Sequence, residues 1–166
     1  MKHKVASPED LFFDQMKDLH SMETQISSHL PDLLATAVDE RLRGLLLTHS
    51  YETDQQLKIL RELFARHGKD PGSDKCKAIA GLIDGGAAHL ASVEDPATRD
   101  LMMVAHCLRV EHYEIAAYEI TARLAGQLGL AEEAGVLLAL QAQEQATADG
   151  LLGLEPNLFE TANLPS

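Results

Sequence analysis

Glu23, Glu52, Glu111 and Glu144 each interrupt an apolar stripe spaced three and four residues apart, near the middle of the helix that the stripe predicts. If those helices pack antiparallel, their midpoints meet at one height and the four carboxylates converge inside the core. Unpaired carboxylates buried there would each cost several kcal/mol, or would have to take up protons. Cations placed among the acids remove that cost, which makes a carboxylate-rich metal centre the chemistry this pattern fits. No Lys or Arg stands in the middle of a stripe to neutralise them. Glu114 follows Glu111 by three residues, on the flank of the same face, so the pair can offer two carboxylates to one centre.

Other polar residues near the same height leave more than one reading open. His49 precedes Glu52 by three residues and is either a ligand, an orienting donor or a hydrogen-bonded core histidine. Gln56, four after Glu52, offers a carbonyl oxygen to a metal or a hydrogen bond to a ligand. His112 lies beside its stripe, at an interface or behind a ligand. Tyr113 and Tyr118 either bond carboxylates or fill the core. His3, His20, His29, His67, His89 and His106 follow no pattern, and Glu119 has no assigned role.

The elements that must position these groups are legible from caps and breakers. Ser7-Pro8-Glu9-Asp10 starts a helix predicted over about 8–35, which Pro31 bends without ending. A second helix is expected over about 39–67, greasy at both ends and polar at His49, Glu52, Thr53 and Gln56. The breaker run from Gly68 to Ser73 is a loop. A shorter helix over about 74–92 follows, whose Gly81, Gly85 and Gly86 argue for close packing; it is the crossover between two hairpins. Two more helices are expected over about 97–128, closed by Gly129, and 131–152. Residues 1–153 make one bundle domain, and 154–166, with Pro156 and Pro165, an irregular tail. Glu23 to Glu52 is 29 residues and Glu111 to Glu144 is 33, so each hairpin supplies one Glu per helix.

Composition agrees with an all-α chain. Hydrophobic residues make up 45 % of 166, aromatics only 4 %, with no Trp. A formal charge of −12 repels phosphate backbones and anionic lipid, so neither nucleic acid nor a membrane is an expected partner. Cys76 and Cys107 lack metal-type spacing and read as reduced structural thiols. With no secretion signal or membrane span in the sequence, a cytoplasmic location is expected.

Several phrases together resemble the YciF-type stress-response proteins of the ferritin-like superfamily. They are Ser21-Met-Glu23-Thr-Gln25, His49-Ser-Tyr-Glu52-Thr53 with Gln56, and Lys75-Cys76-Lys-Ala-Ile-Ala-Gly81-Leu82-Ile83. The most specific is Val110-Glu111-His112-Tyr113-Glu114-Ile115-Ala116 with Tyr118, followed by Gln127-Leu128-Gly129; Glu144 with Ala146-Thr147 completes the set. The similarity spans about residues 6–152. It implies a ferritin-like antiparallel four-helix bundle with an additional crossover helix, a homodimer, and a two-metal centre held by Glu23, Glu52, Glu111, Glu114 and Glu144, with Gln56 a further candidate. One position departs: where the family usually has Asp four residues after the last Glu, this chain has Ala148. Asp149 is about 100° further round the helix and does not replace it. The centre is then lopsided, weaker, or limited to one ion.

Oxygen-dominated ligands suit Fe or Mn better than Zn. Two ions per chain, bridged by Glu52 and Glu144 with Glu23, Glu111 and Glu114 on the outer sides, would act on O2 or peroxide as a di-iron or di-manganese oxidoreductase, or in metal handling. The alternative is a metal-degenerate helical dimer, a structural or stress-protective scaffold that keeps the acidic core as a relic. Whether the chain is an enzyme stays open at this point.

Overall fold

A computed structural model of the chain describes residues 4–163. Ser7 caps α1 (Pro8–Thr36): its hydroxyl accepts the Asp10 N–H at 3.0 Å, and Pro8 sits in the first turn, where its missing donor is not needed. Pro31 stays within the helix. Asp39 caps α2 (Glu40–Arg66) by accepting from the N–H groups of Arg41 and Leu42. After the glycine-rich loop come α3 (Lys77–Ala91), α4 (Pro96–Gln127), capped by Asp95, and α5 (Ala131–Thr161). Gly129 turns the chain between the last two at φ 77°, and Leu130 N–H returns to Ala125 O at 2.9 Å.

Short joints make α1–α2 and α4–α5 antiparallel hairpins. α1 packs on α4 and α2 on α5, while α3 lies over α4 and α1. Two polar contacts fix the ends. At one, the buried Asp100 carboxylate near the start of α4 accepts from Val38 N–H and, at 2.7 Å, from Asp39 N–H in the α1–α2 joint. At the other, His67 just past α2 meets Glu133 at the start of α5, 2.9 Å apart. α4 therefore begins where α1 ends, and all neighbouring helices of the four run antiparallel. The crossover α3 carries the chain back along the bundle to make this possible.

Heptad-like burial places the core. On α2 the buried positions Leu42, Leu46, His49, Thr53, Gln56, Leu60 and Leu63 alternate by four and three; on α1 Phe12, Met16, Leu19, Glu23, Ile26, Leu30 and Leu33 do the same. The apolar layers at either end supply the driving force, about 1.5–3 kcal/mol for each large side chain removed from water. The middle layer is polar.

Three sequence expectations change. α3 starts at Lys77 rather than near Asp74, with Cys76 as its cap residue. The glycines of α3 do not act alike: a Cβ on Gly86 would collide with the His106 ring, whereas Gly81 and Gly85 meet nothing. The tail is not irregular from residue 154 on, because α5 continues through Pro156 to Thr161. Leu158 is buried seven residues beyond Leu151, extending the stripe and holding this last stretch on the core. Pro156 frees only the carbonyl of Leu152, a half-exposed residue, where water can take its place. His3 and residues 164–166 lie outside the described residues.

Candidate metal centre

The polar layer is built by one to three side chains from each bundle helix. Glu23, Glu111, Glu114 and Glu144 are buried, as are His49, Thr53, Gln56 and Tyr118. His49, Glu111, Glu114 and Glu144 each bring one ligand atom to within 4.8 Å of all the others. Among the described residues they are the one group of His, Cys, Asp or Glu so arranged. Glu23 lies beside them, close enough for Glu144 to raise its pKa.

Each acid has partial support. Tyr118 O–H donates to Glu23 Oε1 at 2.5 Å. The Gln56 amide donates to Glu144 Oε1 and also reaches Gln143 Oε1 at 3.1 Å. His49 Nε2 is 3.2 Å from Glu111 Oε1, and its Nδ1 is 3.8 Å from Glu144 Oε2. Thr53 satisfies its own hydroxyl on His49 O at 2.9 Å and so adds nothing to the acids.

Burial dominates the electrostatics. Desolvation first, then repulsion from Glu144, pushes Glu23, Glu111 and Glu114 well above the usual carboxylate range. Glu144 is raised to about 7 by burial, against the lowering effect of its hydrogen bonds with Gln56 and Glu111. Burial holds His49 at about 4, so its imidazole is neutral at pH 7. With His49 neutral, its 3.2 Å contact with Glu111 is not an ion pair. A neutral imidazole is also the form that binds metal.

These residues fit a cation by one test independent of resemblance. Among the described residues, the buried side-chain nitrogens and oxygens without a hydrogen-bond partner are Glu23 Oε2, His49 Nδ1, Gln56 Oε1, Glu111 Oε2, both oxygens of Glu114, Glu144 Oε2 and Arg99 Nε. All but the last belong to this layer. Every such atom except Arg99 Nε can act as a lone-pair donor, with His49 in the appropriate tautomer. A set of that kind, from four helices, is what a cation satisfies and a hydrogen-bond network does not.

The sequence assignments divide on geometry. Glu111, Glu114 and Glu144 come together; Glu23 is adjacent through Tyr118; Gln56 holds Glu144 rather than standing apart. Glu52 is the exception. It is half-buried at the edge, outside the four-residue group, though its charge reaches Glu111 and Glu144. The centre of the α2 stripe passes through His49, Thr53 and Gln56, which turns Glu52 to the flank. His49, left open between ligand and structure, takes the central place instead. Ala148 is buried one turn beyond Glu144, and Asp149 is exposed. Tyr113 meets Cys76 Sγ at 3.4 Å, His112 is exposed, and Glu119 pairs with Arg123 at 2.7 Å, so these three do not join the centre. Both cysteines are free and buried.

Comparison with known proteins agrees with this architecture. The family model described as a domain of unknown function, DUF892, matches residues 7–163. Protein YciF of Escherichia coli strain K12 is 32 % identical over 150 residues, 90 % of each chain. The crystal structure of the E. coli stress protein YciF matches with a TM-score of 0.89 at 30 % identity, over 94 % of this chain and 99 % of that one. YcfI from Rhodopseudomonas palustris matches at 0.87 and 30 % identity, over 91 % and 96 %. A Xanthomonas campestris protein, 19 % identical with a TM-score of 0.73 over 95 % of this chain and all of its own, shares the fold.

Proposed function

This chain belongs to the DUF892 family and has the ferritin-like bundle of its YciF relatives, and from that premise we propose that its buried acid layer is a metal centre for Fe or Mn with a redox or metal-handling role under stress. The observation that carries the reading is the set of unpartnered lone pairs on Glu23, His49, Gln56, Glu111, Glu114 and Glu144. His49, Glu111, Glu114 and Glu144 hold the ion. Glu23, and Glu52 from the flank, complete the shell where a second ion is present. Carboxylates with one imidazole suit Fe and Mn. Such ions supply electron transfer toward O2 or peroxide.

The chain's own residues do the rest. Gln56 and Tyr118 hold one oxygen of Glu144 and of Glu23, leaving the second oxygen of each directed to the centre. The apolar layers on both sides exclude water and keep the carboxyls from ionising without a cation. Glu52, half-buried with its pKa raised by burial, stands at the edge of the layer.

Ala148 favours a second reading, the scaffold with a degenerate centre, because a buried methyl occupies the place of a family acid. Metal content per chain decides between them. Protein produced in Fe- or Mn-supplemented medium is expected to carry one or two ions, and Glu111→Gln with Glu114→Gln to lose them. Wild type without bound Fe or Mn supports the scaffold.

A further inference from the structure

We propose that His29 and His106 form a second cation site, separate from the acid layer, taking one divalent ion of borderline softness such as Zn2+ between their two imidazoles. Neither histidine showed a pattern in the sequence, yet the fold sets His29 Nε2 of α1 against His106 Nε2 of α4 at 3.0 Å, with the rings nearly perpendicular at 80°. A tetrahedral zinc with nitrogens at about 2.0–2.1 Å separates two ligands by about 3.4 Å. An opening of only about 0.4 Å converts the pair from a hydrogen bond to a chelate.

The pair is a built feature. His106 is buried, and its ring lies against Gly86 of α3, where a Cβ would come within 1.9 Å of Nδ1. A helix interior ordinarily disfavours glycine, and here the missing side chain makes the seat for an imidazole. Burial and the neighbouring His29, Arg109 and His89 keep His106 down at about 4, so it offers a neutral ring across the physiological range. His29 is half-buried and also lowered by burial, against the pull of Asp32 and Asp84.

The surroundings supply what two imidazoles lack. On its outer side His29 lines a cleft of about 330 Å³ with Lys75 and the exposed carboxylates of Asp32 and Asp84, whose charge draws a cation while water fills the remaining coordination positions. On the inner side His29 and His106 bound a narrow crevice of about 20 Å³ that His49 and Glu111 also line. Binding at the pair does not require that the acid layer hold metal.

The test is a Zn2+ titration of the full chain against a chromophoric chelator, in Glu111→Gln with Glu114→Gln and in the same background with His29→Ala. Changes behind a ligand cost about 10–100-fold in affinity, so loss of the ligand itself should exceed about 100-fold. The acid-layer variant is expected to keep one Zn2+ equivalent, and His29→Ala to lose it. Should His29→Ala fail to fold, His29→Gln, which keeps the volume and a hydrogen bond, is read in its place. No Zn2+ bound in the acid-layer variant, or equal binding with and without His29, overturns the proposal. Neither result touches the Fe or Mn content that tests the acid layer.

Discussion

Removing cations from the acid layer and then raising the pH should destabilise the protein steeply. Glu23, Glu111 and Glu114 are raised well above the ordinary carboxylate value and Glu144 to about 7, chiefly by burial. Above the unfolded value near 4.5 the folded chain therefore keeps protons that the unfolded chain has released, and stability falls as pH climbs through the folded values. His49 and His106, lowered to about 4, act in the opposite sense: their contribution grows with pH and is complete by about 6.5. Between about pH 4.5 and 6.5 the two sets oppose each other. Above about 7 the carboxyls dominate, and from about 8 the buried Cys107, also raised by burial, adds to the same trend. Each proton the fold retains costs about 1.4 kcal/mol for every pH unit over which it is retained. Against a total of about 5–15 kcal/mol, that is a large share. Urea unfolding of chelator-treated protein at pH 6.5, 7.5 and 8.5, set beside Mn-loaded protein, measures it. The cation-loaded form should vary far less, because the metal replaces the protons. A chelator-treated protein whose stability is flat over this range would show that the carboxyls are already ionised in the fold, and the burial argument would fail.

Three further outcomes follow from the packing. Gly86→Ala must displace the His106 ring and should cost about 1–3 kcal/mol, whereas Gly85→Ala, with nothing near its Cβ, should stabilise by about 0.5–1 kcal/mol; thermal unfolding compares them. Asp100→Ala leaves the Val38 and Asp39 N–H groups without their acceptor and should cost about 1–3 kcal/mol in urea unfolding; an effect under about 0.5 kcal/mol would show that water caps the joint as well. Ala148→Asp restores an acid one turn from Glu144, so it should raise Mn bound per chain while lowering the stability of the chelated protein; unchanged stoichiometry would show that this position does not face the ions.

The bundle was legible because its signals are local. Ser7-Pro8, Asp39, Asp95-Pro96 and Gly129 act within one turn of themselves, and the three-and-four spacing of apolar residues reports which face is buried. The acids of α1, α4 and α5 were found for the same reason, since a Glu within a greasy stripe is anomalous wherever the helices meet. What escaped depends on tertiary geometry. The sequence counts Glu52 among the converging acids; the packing of α2 against α5 through Gln56 and Glu144 turns it to the edge and brings His49 inward. The His29–His106 pair joins residues 77 apart and needs Gly86 from a third helix, so no local spacing announces it. Asp100 resembles any acid near the start of a helix until the α1–α2 joint closes over it. The helix beyond Gly153 was hidden because Pro156 is a breaker by itself and only the docking of Leu158 outweighs it.

Anomalous diffraction from crystals grown with Mn2+ or Fe2+ tests the central claim most directly. A peak bonded to carboxylate oxygens of Glu111, Glu114 and Glu144, with His49 Nδ1 or Nε2 beside it, is the expected result. Ordered water in that layer with no anomalous signal at saturating metal would contradict it.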